Sequence, residues 1–173
     1  MEWLDAQWER LCEGARRGAV VELACGRGRI ARAVAGRGVP VIGLDRNAGH
    51  LAELADAARD APAPVRLARA DFEQDRGLPL APGRCGVILV FRYLHRPLAP
   101  AIAEALAPGG VLLYETFTLH QRDLGYGPGN PAFLLEDGEL PGLFPTLDVL
   151  DHWEGTTTGE RPAAVARLAA RRP

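Results

Sequence analysis

Three acidic residues and two glycines in the first half of the chain have a spacing that suits ligand chemistry. Val20-Val21-Glu22-Leu23-Ala24-Cys25-Gly26-Arg27-Gly28 runs from an apolar stretch through an acid into a turn of small residues. Asp45 closes the next apolar run, and Asp71-Phe72 closes a third. Glycine has no Cβ, so the backbone at Gly26 and Gly28 can lie close to a ligand. A carboxylate is a forked acceptor, and Asp45 can take both hydroxyls of a ribose. Asp71 beside Phe72 suits a nucleobase, the acid accepting an amino group and the ring stacking. Glu22 can order the turn or meet a ligand cation directly or through water. Together these groups read as a nucleoside site at the ends of successive strands. Plainer roles stay open: a tight turn for the glycines, a helix N-cap for Asp45, and a loop acid beside a core ring for Asp71-Phe72.

A second group follows the most apolar segment, Cys85–Phe91. Arg92 can hold an anion through its fork of donors. Tyr93 can line a channel, and His95 can act as a general base. Similar groups continue at Thr116, Thr118, His120, Arg122, Tyr126 and Arg161. Glu115 is expected to order the loop that precedes them. The plainer alternatives are a helix-capping His95, a solvated His120 and a Tyr93 that fills core.

Positioning these side chains requires alternating strands and helices. The helical spacing of Trp3, Leu4, Trp8, Leu11 and Cys12 predicts one helix over 2–16. Strands are predicted at 19–24, 39–44, 65–68, 85–91 and 111–116, with helices at 27–35, 48–59 and from Pro97 or Pro100 through Leu106. A loop or lid is expected over 118–130, a short helix over 134–144, and two late strands at 146–152 and 163–170. This order predicts a single domain over 1–173, α/β and doubly wound. Its sheet is mostly parallel and seven-stranded, with a C-terminal antiparallel hairpin. Ligands then lie at the carboxyl ends of the strands.

Hydrophobic residues make up 47% of the chain and charged residues 24%, a globular balance. The net charge of −2 gives no field to recruit nucleic acid or an anionic membrane. Lysine is absent and arginine supplies the positive charge, scattered along the chain. Cys12, Cys25 and Cys85 form no C-x-x-C pair, which predicts reduced thiols and a cytoplasmic protein. No apolar run reaches membrane-spanning length, and the acidic N-terminus is unlike a signal peptide.

The order and spacing of these motifs resemble the class I S-adenosylmethionine-dependent methyltransferases. Glu22 to Gly28 corresponds to that family's acid-x-Gly-x-Gly-x-Gly loop, with Ala24 in place of the first glycine. Asp45 matches the ribose-binding acid, Asp71-Phe72 the adenine contact, and Pro108-Gly109-Gly110 the turn before strand five. The resemblance implies a Rossmann-like methyltransferase fold, an enzyme, and S-adenosyl-L-methionine as cofactor. It implies donor contacts from Glu22, Ala24, Gly26, Gly28, Asp45, Arg46, Asp71, Phe72 and Phe91, and catalytic contacts from Arg92, Tyr93 and His95. Leu44-Asp45-Arg46-Asn47, Phe133 to Leu140 and the terminal hairpin are most similar to the small tellurite-resistance type enzymes. That implies a small-molecule acceptor such as a thiol or chalcogen oxyanion, in a monomer or homodimer with no metal.

Competing readings are an RNA or protein acceptor met by Arg27, Arg29, Arg32, Arg92, Arg96 and Arg122, or a non-catalytic nucleoside-binding subunit. A nicotinamide enzyme is disfavoured. Ala31 stands where the dinucleotide fingerprint has its third glycine, a change the fingerprint tolerates, but no second mononucleotide half is evident and no Tyr-x-x-x-Lys pair can exist without lysine. Asp45→Ala is expected to weaken donor binding without unfolding the protein.

Overall fold

The computed structural model describes residues 2–74 and 77–173. Seven strands form one sheet: β1 (Ala19–Leu23), β2 (Val41–Asp45), β3 (Val65–Arg69), β4 (Cys85–Phe91), β5 (Leu106–Phe117), β6 (Asp148–Thr156) and β7 (Ala164–Arg171). Their spatial order is β3-β2-β1-β4-β5-β7-β6. The first five run parallel, and β7 inserts antiparallel between β5 and β6. The expected mixed sheet is therefore present, with the late hairpin completing one end.

Helices cover both faces, so the central strands are apolar on both sides. Along β4, Val87, Leu89 and Phe91 pack with α1 (Glu2–Ala6), α2 (Trp8–Ala15), α3 (Arg29–Ala35) and α4 (Ala48–Ala57). Ile88 and Val90 alternate with them and face α5 (Ala99–Ala105) and α6 (Glu139–Gly142). Trp3 of α1 lies 5.6 Å from the Phe91 ring, centroid to centroid. The Arg167 guanidinium of β7 stands between Trp3, at 5.8 Å, and Trp153 of β6, at 4.9 Å.

Three local expectations change. The helix predicted over 2–16 breaks at Gln7, whose buried side chain donates to Asp151 on β6 at 2.8 Å. The ladder of β5 on β4 begins at Leu106 opposite Cys85, is interrupted at the Pro108-Gly109-Gly110 turn, and resumes at Val111 opposite Val87. The helix predicted over 134–144 shortens to α6, because Leu135 exchanges backbone hydrogen bonds with the end of β5. Its N–H donates to the Phe117 carbonyl, and its own carbonyl accepts from Leu119 N–H, both at 2.9 Å.

The segment before α6 is tied down by Arg96. Its guanidinium pairs with both Glu139 carboxylate oxygens and donates to the carbonyls of Ala132 and Leu134. The pairing holds the Glu139 carboxyl below its ordinary range. Arg96→Ala leaves those acceptors without a shared donor, and is expected to destabilise the fold by about 2 kcal/mol in urea titrations. A variant as stable as wild type would show that the fork adds nothing net.

Candidate active site

The chain winds from β1 outward to β2 and β3, then returns to lay β4 against the other side of β1. Loops leaving β1 and β4 diverge there and open a crevice at the carboxyl ends of the strands. A cavity of about 360 Å³ occupies it. Its wall combines Ala24 and Gly26 after β1, Asp45 to Asn47 and His50 after β2, Ala70 to Glu73 after β3, and Arg92 and Tyr93 after β4.

The loop after β1 turns through left-handed backbone at Ala24 (φ 51°), Gly26 (φ 54°) and Gly28 (φ 74°). Such backbone disfavours a Cβ by roughly 1–2 kcal/mol, and Ala24 carries that strain. The two glycines serve different ends. A Cβ at Gly26 would meet nothing within 4 Å, whereas one at Gly28 would lie 2.1 Å from Leu54 Cδ1, inside the packing of α4. Gly28→Ala is expected to destabilise the protein by about 2–3 kcal/mol, from strained backbone and overpacking. Gly26→Ala should destabilise it less while weakening nucleoside binding more. Paired thermal melts and calorimetry test this, and a reversed order would refute it.

Asp45 holds the loop. Its carboxylate, 9% exposed, accepts from Gly26 N–H at 2.8 Å through Oδ2 and from Asn47 N–H at 2.8 Å through Oδ1. The N-cap of α4 is Asn47, whose side chain accepts from the backbone of Gly49 and His50. Each Asp45 oxygen retains a lone pair on the cavity wall. Across the cavity the Phe72 ring lies 6.1 Å from that of Tyr93. Asp71 accepts from Glu73 N–H at 3.1 Å and Gln74 Nε2 at 3.2 Å, while Arg46 pairs with Glu73 at 2.9 Å. Burial pushes the Tyr93 phenol up to about 12.

Of the residues singled out in sequence, Ala24, Gly26, Asp45, Arg46, Asp71, Phe72, Arg92 and Tyr93 converge on this cavity. The others do not line it. Glu22 lies beneath the loop, 3% exposed, with Oε2 accepting from Ala31 N–H at 2.8 Å. Burial pushes its carboxyl up to about 8, against the pull of that hydrogen bond and of Arg29. Gly28 is taken up by Leu54, and Phe91 faces Trp3. His95 begins the turn before α5, and its side chain makes no capping bond. His120 is surface-exposed and bonds Asp137 at 2.9 Å beside a separate pocket. Asn47, quoted in the motif after β2, also joins the wall, and His50, Ala70 and Glu73 join it without having been singled out. The Asn-x-x-His pattern of an N-capped first turn was a signal for His50.

Arg92 closes one end of the cavity in left-handed backbone, φ 62°. Its N–H donates to the Glu115 carbonyl at 2.8 Å, and its Nε lies 3.2 Å from Glu115 Oε1. The guanidinium stacks 4.5 Å from the Phe117 ring. Glu115 Oε2 accepts from Arg167 Nε at 2.8 Å, so one buried carboxylate serves two arginines. The segment expected as a loop over 118–130 begins with a 3₁₀ helix, Leu119–Leu124. Gln121, 0% exposed, anchors it by donating to the Tyr126 carbonyl and accepting from Ala164 N–H of β7.

Residues 20–110, more than half of the 173-residue chain, match the family described as the methyltransferase domain. The chain belongs to that family. As a methyltransferase of the S-adenosylmethionine-dependent class, it takes its methyl group from S-adenosylmethionine. Solved structures share the fold at low identity. One is an S-adenosylmethionine-dependent methyltransferase from Methanosarcina mazei, with TM-score 0.73 and 14% identity, covering 89% of this chain and 92% of that one. Another, from Mesorhizobium loti, has TM-score 0.70 and 19% identity over 96% and 98%. TehB from Haemophilus influenzae has TM-score 0.72 and 16% identity over 96% of this chain and 62% of its own. No curated protein matches the sequence.

The methyltransferase cavity fits the donor on its own geometry: open space over Gly26, acceptor capacity on Asp45 and an aromatic ring at Phe72. Among the described residues, no cluster of His, Cys, Asp and Glu could hold a metal, and no helix is long and apolar enough to cross a membrane.

Proposed function

We propose that this enzyme methylates a small-molecule acceptor and that the wall of the cavity at the β1–β4 crevice divides the work. In this reading Asp45 holds the ribose, Phe72 and Asp71 the adenine, and the backbone at Ala24 and Gly26 the remainder of the donor. Arg46 closes over the base from the rim. The donor brings an activated methyl group on a sulfonium, so the protein's task is to align an acceptor lone pair with the sulfur–methyl bond. Holding both partners in that line can supply roughly 7–11 kcal/mol at the upper end. Arg92 and Tyr93 bound the cavity at the end where an acceptor must enter. The observation that carries the reading is the convergence of Gly26, Asp45, Phe72 and Arg92 on one cavity.

A small acceptor is favoured over RNA because three of the six arginines that would form a basic face are already paired. Arg27 pairs with Glu53, Arg92 with Glu115 and Arg96 with Glu139. Among the described residues, the histidine on the cavity wall is His50 of α4 rather than a neighbour of Arg92 and Tyr93, which suits a soft acceptor such as a thiol that needs no strong base. Cytoplasmic location fits three free cysteines, with Cys25 and Cys85 buried. Calorimetry with S-adenosylhomocysteine, then radiolabelled methyl transfer to thiols, phenols and oxyanions, tests the proposal. Saturable binding and transfer to a member of the panel are expected. Methylation confined to RNA or protein would overturn the small-acceptor reading.

A further inference from the structure

The hairpin end of the sheet carries a second cavity, of about 350 Å³, that shares no lining residue with the donor cavity. Its volume falls near the lower end of the range for small-molecule pockets. Thr118, just past β5, lies on its wall with Ala164 at the start of β7 and Thr156 at the end of β6. Backbone pairing fixes all three. Thr118 N–H donates to the Ala164 carbonyl at 3.1 Å, and Ala164 stands opposite Thr156 in the β6–β7 ladder.

Thr118 is only 3% exposed, yet its hydroxyl bonds nothing among the described residues. It does not cap the 3₁₀ helix that it precedes. The side-chain polar atoms there that are both sealed from solvent and unpartnered are Arg92 Nη1 and the Tyr126 hydroxyl. The Thr118 hydroxyl is not one of them, so it is open, and in a residue this buried the opening is the cavity that it lines. A hydroxyl so placed asks for a partner.

The charged groups on the same wall are acidic. Glu154 of β6 and Asp137, ahead of α6, line it with His120, and no arginine does. The Glu154 side chain, 22% exposed, is fixed in place. Its two oxygens accept from Gly138 N–H at 3.2 and 3.0 Å, and Oε1 lies 3.2 Å from His152 Nε2. Gly138 follows Asp137, so this contact also brings the second acid beside the first. Asp137 Oδ1 meets His120 Nε2 at 2.9 Å, while Oδ2 bonds nothing among the described residues. His120 Nδ1 lies 3.9 Å from a third acid, Asp123. The bases facing these carboxylates are imidazoles, without the permanent charge of a guanidinium.

We infer that this cavity is a second binding site, for a small organic ammonium held by Thr118, Glu154 and Asp137. A primary ammonium presents three N–H donors and no acceptor. The wall offers the complement: one open hydroxyl and two carboxylates, each able to form a charge-assisted bond. Ala164 leaves room for the carbon chain. A bare metal ion fits poorly, since no cluster of His, Cys, Asp and Glu among the described residues could hold one.

The test titrates the whole isotope-labelled protein with butylammonium or its neutral counterpart n-butanol and follows backbone amide shifts. Butylammonium is expected to bind roughly ten-fold tighter, the difference that charge-assisted bonds supply, and to move the amides of Thr118, Thr156 and Ala164. Glu154→Gln keeps an oxygen for Gly138 N–H and should erase the preference. Thr118→Val keeps the side chain's shape and should weaken butylammonium about three-fold at an unchanged melting temperature. Asp137→Asn changes an exposed side chain and should also weaken it, which keeps the test open if the glutamine variant fails to fold. Equal affinity for the two probes, including none for either, would overturn the inference. So would shifts scattered over the acidic surface with no cluster at these amides. Loss of butylammonium on saturation with S-adenosylhomocysteine is a third contrary result, because the ammonium then occupies the donor cavity. The amide readout needs no methyl donor, so the site stands or falls apart from the proposed function.

Discussion

Replacing Asp45 with alanine is expected to lower the affinity for S-adenosylhomocysteine about 100-fold and to reduce the melting temperature at the same time. The affinity loss follows from two proposed charge-assisted hydrogen bonds to ribose hydroxyls, each worth roughly 1.5 kcal/mol, the low end for such bonds. The stability loss was not expected from sequence. It arises because the same carboxylate accepts from Gly26 and Asn47, and so joins the loop after β1 to the start of α4. Removing both bonds should cost about 2–3 kcal/mol, or roughly 5–10 °C for a chain of this size. Calorimetry and differential scanning on the same sample separate the two effects. A variant that melts early yet binds as tightly as wild type would confine Asp45 to a structural role.

Glu22 should make stability depend on pH in an unusual direction. Its carboxyl rises from an ordinary 4.5 to about 8 in the fold, mainly through burial. The folded protein therefore holds a proton that the unfolded chain gives up between those values. The protonated group's contribution is fully present below pH 4.5 and is lost as the pH climbs through about 8. At about 1.4 kcal/mol per unit, the full penalty is on the order of 4–5 kcal/mol. Glu22→Gln keeps an acceptor for Ala31 N–H and carries no ionisable group. It should match wild type near pH 5 and exceed it above pH 8, most visibly in urea midpoints. Parallel curves for the two proteins from pH 5 to 9 would show that Glu22 ionises as easily as an exposed carboxyl.

Much of the architecture was legible because the strands of a parallel sheet announce themselves as unbroken apolar runs. Cys85–Phe91 is the clearest case, and its bounds in the fold are those of the apolar run itself. The run conceals which face each side chain takes, since both faces are apolar. That is why Phe91 was assigned to the donor and instead packs on Trp3. Asp45 was readable from its place at the end of a strand. Gly28 was not, because its requirement comes from Leu54, a packing partner far along the chain. Gln7 breaks the first helix for a similar reason, its partner Asp151 lying at the other end of the sequence. Helical period over 2–16 carries no trace of such a contact.

Trp3 and Trp153 flank Arg167, which shares Glu115 with Arg92. Two of the three tryptophans thus touch the far side of the clamp that borders the cavity. Indole emission responds to a nearby cation, so a shift in that clamp changes fluorescence without any added dye. The molecule carries its own optical gauge, and titrations can be followed by ultraviolet light alone.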